Sequence, residues 1–171
     1  MPEPIAATEA WSGRWLSVWL ETWPGAERYE TVRKHDAVAV VPITPDGDVL
    51  LVRQFRPPVR EHLTEIPAGL LDLDGEDALT CAARELFEET GYRHRSMRFL
   101  GGVYLSPGFT DEYIHLFLAR TQAEPEAEPE SGIEVVRMPF AEAVAAATGG
   151  RIRNASTALA LLIAAGRPSP E

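Results

Sequence analysis

The 171 residues contain one cysteine, Cys81. No internal disulfide can form, and a reducing compartment suits the chain. No histidine lies near Cys81 in sequence, so it reads as a small helix filler rather than a nucleophile. Histidines are few as well: His35, His62, His94 and His115 show no metal-ligand spacing and read as structural or surface residues. The opening MPEPIAATEA has neither a basic region nor an apolar run and does not read as a signal peptide. The longest purely apolar stretch, ALALLIAA (158–165), falls far short of the roughly 20 residues a membrane span needs. The expectation is a cytoplasmic protein without a membrane partner. Positive charge is scarce too, with 16 Lys and Arg against 26 Asp and Glu and a net charge of −10. That argues against a nucleic-acid partner. A phosphorylated small molecule stays open, provided a few arginines or a bound cation neutralise it locally.

What is present is the composition of an ordinary globular domain, 45% hydrophobic and 25% charged. Residues 1–10 read as a loose tail. All four tryptophans follow, at positions 11, 15, 19 and 23. A step of four fits one helical face and equally one strand face. Gly13, Val18, Thr22 and Pro24-Gly25, followed by RYETVRK, favour an antiparallel β-hairpin over residues 11–35. Its aromatics need a partner surface, either the main domain or a second subunit.

AVAVVPI and DVLLVRQF, joined across Thr44–Gly47, read as a buried antiparallel hairpin. Residues 76–90 carry the strongest helical pattern, with Leu79, Ala82, Ala83 and Leu86 as its apolar stripe and Gly91 as its end. MRFLGGVYL and YIHLFLAR are strands flanking the loop SPGFTDE. QAEPEAEPESG (122–132) reads as a solvated, structureless loop. IEVVRM is a last strand, MPFAEAVAAAT and STALALLIAA are closing helices, and 167–171 is a tail. Strands mixed with three helices indicate an α/β sandwich.

The stretch RELFEETG places Glu85, Glu88 and Glu89 as neighbours on one helix. Each like-charged pair at such spacing costs roughly 0.2–0.5 kcal/mol unless a cation offsets it. The glycine-bearing turn IPAGLLDLDGE leads into this helix, and backbone groups at such a turn are free to face a ligand. Oxygen-only ligands of this kind suit Mg²⁺ or Mn²⁺. From these residues alone a solvated acidic face remains an equal alternative.

The longer stretch GLLDLDGEDALTCAARELFEETGY, Gly69 to Tyr92, resembles the Nudix box. The match is complete from Glu76 onward, although six residues rather than five separate Gly69 from Glu76. FRPP, EIPAGLL and SPGFTDE resemble the ADP-ribose pyrophosphatase branch of that family. The resemblance implies an α/β/α sandwich with a mixed sheet over 36–166, preceded by an N-terminal sheet that is often exchanged between the subunits of a homodimer. It implies hydrolysis of ADP-ribose to AMP and ribose 5-phosphate, with another nucleoside diphosphate sugar, a dinucleotide, or a silent sensing module as alternatives. Mg²⁺ or Mn²⁺ would be held by Glu85, Glu89 and the backbone of Ala68, with Glu88 as an auxiliary ligand and Arg84 fixing the acids. Glu112, on a mobile loop suited to a lid, would be the general base, with Asp111 as second choice. Arg56 would contact the diphosphate or terminal ribose, and Glu65 would lie against the substrate. Arg14 and Trp15 would stack on adenine, and Glu30 would accept from its amino group.

Overall fold

The computed structural model describes residues 3–167. The N-terminal part is a three-stranded antiparallel sheet of β1 (Ala6–Ser12), β2 (Leu16–Thr22) and β3 (Arg28–Lys34), in that order. Residues 6–10 are therefore strand where a loose tail was expected, and the hairpin gains a third member. Met1 and Pro2 of that tail, and 168–171 of the C-terminal one, lie outside the described residues. Arg167 is tied down, donating to the Leu100 carbonyl at 2.5 Å. The tryptophans do not form one face. Trp11 lies on β1 and Trp19 on β2, and the chain reverses between them through the turn that carries Trp15.

The second sheet is built from β4 (Ala37–Ile43), β5 (Asp48–Arg56), β6 (Glu61–Glu65), β7 (Ala68–Leu70), β8 (His94–Tyr104), β9 (Tyr113–Thr121) and β10 (Glu134–Pro139). Its order is β10-β5-β4-β9-β8, with β6 on β5 and β7 on β4. β4 and β9 run parallel and the other pairs antiparallel, so the sheet is mixed. β4 and β5 are joined by a tight turn, as expected, yet they pair only at Ile43 and Val49. Beyond that point they part. β7 takes the edge of β4, and β6 and β10 take the two edges of β5. This fork lays the glycine-bearing turn against β4.

Three helices cover the sheet: α1 (Ala78–Thr90), α2 (Phe140–Thr148) and α3 (Ala155–Ala165). Every residue of β4 is buried, and its alternation assigns the layers. Ala37, Ala39, Val41 and Ile43 pack with Ala143, Ala146, Ala160 and Leu161 of α2 and α3. Val38 and Val40 pack with Cys81, Ala82 and Leu86 of α1. Leu79, expected in the apolar stripe, is 49% exposed, and Cys81 takes its place. The helix is rolled so that the thiol donates to the Leu70 carbonyl at 3.4 Å and Glu89, one of the acids, turns inward. Burial pushes the Cys81 thiol up to about 12, which keeps it protonated and suits its role as filler.

The acidic loop after β9 forms neither helix nor strand, but it is not free. The Glu126 and Glu130 amides donate to the carbonyls of Gly91 and Glu88 at 2.8 and 2.9 Å, closing the C-terminal end of α1. Among the described residues no helix is long and apolar enough to cross a membrane.

Candidate active site

The acids are placed by a cap and a close approach. Asp77 accepts the Thr80 amide at 2.8 Å and starts α1. β7 is held against β4 in register, with Val38 opposite Gly69, and the Val40 amide donates to the Pro67 carbonyl at 2.9 Å. A Cβ on Gly69 would stand 1.9 Å from the carboxyl carbon of Glu85. Glu85 thus lies directly on the backbone of the turn, and only glycine leaves room for it. The sixth spacer residue is absorbed further on. The chain turns at Leu73–Glu76, with the Glu76 amide donating to the Leu73 carbonyl at 3.1 Å and Gly75 at φ +78°. The longer spacer therefore leaves Gly69 beneath the helix.

Arg84 is the hub of the cluster. Its Nε and Nη2 each donate to Glu76 at 3.0 Å, and its Nη1 donates to Glu85 at 2.7 Å and to Glu88 at 3.0 Å. Glu76, to which the sequence reading gave no role, is the bidentate anchor that fixes the guanidinium. These hydrogen bonds hold the Glu76 carboxyl below the ordinary range. Glu88 is the solvent-facing member, as expected from its position on the helix.

Glu89 lies deepest, 6% exposed, accepting the Ala68 amide at 3.0 Å. Ala68 thus meets the acids through its N–H, where a carbonyl was expected to face the cation. Burial pushes the Glu89 carboxyl up to about 8, and the charges of Glu85 and Glu65 push the same way, against the Ala68 amide and Arg56. Burial raises Glu85 too, partly offset by Arg84. One buried and one partly buried carboxylate are thus both raised, despite Arg56 and Arg84 nearby. Such a pair, with oxygen donors alone, fits a hard divalent cation. Among the described residues no three His, Cys, Asp or Glu side chains converge as a ready cage. Glu85 and Glu88 share Arg84 instead.

Arg56 reaches the same region. Its Nε lies 3.1 Å from each oxygen of Glu65, and Nη2 adds a third contact. Glu65 is 2% exposed, so it reaches the site through Arg56 rather than by facing a ligand itself. The bend after it is fixed by the Ile66 amide donating to Thr157 Oγ1 at 3.0 Å.

Glu112 does not join the α1 acids. Its carboxylate pairs with Lys34, at the end of β3, which the sequence reading overlooked. The loop that carries it is bound to the free edge of β3. The Val32 amide donates to the Phe109 carbonyl at 2.7 Å, the Asp111 amide to the Val32 carbonyl at 3.3 Å, and the Lys34 amide to Asp111 Oδ1 at 3.0 Å. A free lid was expected; these bonds make it a short extension of the N-terminal sheet. Asp111 is thereby engaged as a cap on β3.

The candidate base-binding residues separate. Arg14 stacks over Trp15 at 4.2 Å, beside Arg33, Lys34 and His35 in a cleft of about 300 Å³. Glu30 pairs with Leu20, four positions back along β3, and lines a different cleft with Tyr29. The sequence reading also missed a cleft of about 760 Å³ between the N-terminal sheet and the Glu112 loop, lined by Trp23, Tyr29, Tyr104 and Phe109 with Arg33 and Asp111. Its aromatics come from two stretches far apart in the chain, so no local pattern announces it.

Comparison with known proteins is consistent with this geometry. The NUDIX domain family matches residues 33–159. An ADP-ribose pyrophosphatase of Bacillus subtilis (strain 168) is 34% identical over 165 residues, covering 92% of this chain and 89% of its own. A GDP-mannose pyrophosphatase of Yersinia enterocolitica is 41% identical over 128 residues, covering 68% of this chain and 66% of its own. The crystal structure of an ADP compounds hydrolase superposes with a TM-score of 0.79 at 22% identity, covering 96% of this chain and 92% of that one. A match of that length, to a motif whose parts meet in space, means that this chain belongs to the Nudix family.

Proposed function

We propose that the protein is a divalent-metal-dependent pyrophosphohydrolase that cleaves ADP-ribose to AMP and ribose 5-phosphate. The observation that carries the chemistry is the pair Glu85 and Glu89, packed on the Gly69 turn with both carboxyls raised by burial. Glu85, Glu89 and the Ala68 backbone would hold Mg²⁺ or Mn²⁺, with Glu88 assisting. Bound there, the ion supplies neutralisation of the diphosphate and a more acidic water. Arg84 keeps Glu85 and Glu88 in position. Glu112 takes the proton of the attacking water, and Arg56, braced by Glu65, pairs with a phosphate oxygen.

The choice of ADP-ribose rests on the relative that spans nearly the whole chain. The GDP-mannose pyrophosphatase relative supports the second reading, a different nucleoside diphosphate sugar. Exposed Trp11, Trp15, Leu20 and Tyr29 on the N-terminal sheet support a homodimer formed through that sheet. In such a dimer Arg14 and Trp15 stack on the base and Glu30 meets its amino group from the other copy. This would join residues that a single chain keeps apart. The lone buried cysteine supports a cytoplasmic setting.

The test is turnover of ADP-ribose, GDP-mannose, UDP-glucose and a dinucleotide with Mg²⁺. ADP-ribose is expected to show the highest kcat/KM. A GDP- or UDP-sugar turned over equally well would reject ADP-ribose, and no turnover of any of the four would favour sensing.

A further inference from the structure

Lys34 is the chain's only lysine, beside 15 arginines. It makes two contacts with one loop: its amide donates to Asp111 Oδ1, and its Nζ pairs with the carboxylate of Glu112. Two residues earlier, the Val32 amide and carbonyl bond Phe109 and Asp111 on either side of Thr110. The side chains of Lys34 and Glu112 are both shielded, at 26% and 17% exposed.

The sheet register says where this clamp stands. Glu112 lies two residues before Ile114, which is opposite Ala37, and Ala37 is opposite Leu70 at the end of the Gly69 strand. Two strand spacings, about 10 Å, separate the start of β9 from β7. Lys34 itself is three residues ahead of Ala37. The clamp is therefore set at the sheet end that carries the acidic turn, and it is anchored to the same strand, β4, that supports that turn.

We propose that Lys34 is a positioning residue for Glu112: its ammonium, carried on the edge of the N-terminal sheet, fixes the place and orientation from which the Glu112 carboxylate works. This rests on the reading of Glu112 as the general base. A compact ammonium on a flexible stem suits the role, because it follows the carboxylate with any of three donors. The N-terminal sheet then does more than carry aromatics. Through Val32 and Lys34 it sets the geometry of the catalytic loop in its own chain.

The experiment compares Lys34→Met, Lys34→Arg, Glu112→Gln and the Lys34→Met/Glu112→Gln double variant, measured as kcat and KM for ADP-ribose with Mg²⁺. Misplacing a reacting group by about 1 Å costs on the order of 100-fold, so Lys34→Met is expected to lower kcat by roughly 10–100-fold with KM within about 3-fold. Lys34→Arg should recover most of that loss. In the Glu112→Gln background Lys34→Met should cost less than about 3-fold, since no carboxylate is left to place. If Lys34→Met fails to fold, acetylating the folded wild type serves instead, with Lys34→Arg as the control whose only remaining amine is the terminal one. Wild-type kcat in Lys34→Met or in acetylated protein, or an equal loss with and without Glu112, overturns the proposal. A Glu112→Gln variant near wild-type kcat overturns the base assignment along with it. A low Glu112→Gln with an indifferent Lys34→Met overturns the Lys34 role alone.

Discussion

The carboxyl group of Glu85 fills the space that any side chain at residue 69 would need, 1.9 Å from where a Cβ would sit. Turn and helix are thereby locked to each other through one acid. Gly69→Ala would displace the far end of a flexible side chain rather than backbone, so the fold should tolerate it. Circular dichroism and the melting temperature should change little, while kcat falls on the order of 100-fold because Glu85 is displaced. Wild-type kcat in this variant would separate Glu85 from the chemistry.

Glu89 gives a pH signature. Its folded carboxyl is raised to about 8 from an ordinary 4.5, so the folded chain holds this proton more tightly than the unfolded chain does. The stability it contributes is complete below about pH 4.5 and is lost as the pH rises through about 8. Metal-free protein should lose up to roughly 1.4 kcal/mol per pH unit across that window from this group. Glu89→Gln should flatten the curve and raise the metal-free Tm at pH 8, and Mg²⁺ should stabilise wild type more than the variant. A wild-type curve without that slope would contradict the burial argument.

Both Glu85→Gln and Glu89→Gln should cut turnover by orders of magnitude with the fold intact, because neither residue forms the apolar contact between α1 and the sheet. Near-wild-type activity in either variant would withdraw the metal assignment.

Arg84 binds Glu76, Glu85 and Glu88 at once. Lys in its place is a point charge that cannot hold Glu76 bidentately while reaching the other two. Arg84→Lys should weaken the Mg²⁺ dependence of activity by about 10–100-fold in half-saturating concentration, as loss of a ligand-orienting partner does. The readout is activity titrated with Mg²⁺, where an unchanged midpoint would leave Arg84 a purely structural link.

Arg56 and Glu65 differ in what each leaves behind. Arg56→Ala strands a carboxylate that is 2% exposed, whereas Glu65→Gln leaves a guanidinium open to water. Breaking a fully buried pair costs about 3–5 kcal/mol, and exposure of the Arg56 side chain reduces that to about 1–3 kcal/mol. Urea denaturation should show Arg56→Ala as the less stable of the two. The reverse order would mean that Glu65 is reached by water after all.

The acidic helix was readable because its information is local: the glutamates repeat at helical spacing, Gly91 ends it, and one sequence stretch carries the whole box. β4 was readable as a buried strand, but not its neighbours. Nothing in AVAVVPI says that it parts from β5 after one residue pair to admit β7. Leu79 and Cys81 exchanged roles because a helical wheel gives the spacing of side chains without the roll that packing imposes. The first strand was missed because AATEAWS has little apolar alternation, and only its pairing with β2 makes it a strand.

Sequence by itself determined the family and the crowding of acids along one helix, since both depend on residue type and short spacing. Tertiary structure alone decided that Glu89 is the buried acid of α1, that Glu65 is buried against Arg56, and that Glu112 is held by Lys34. Each of these is an energy of burial or of pairing between residues far apart in the chain, and such an energy exists only once the strands have chosen their neighbours.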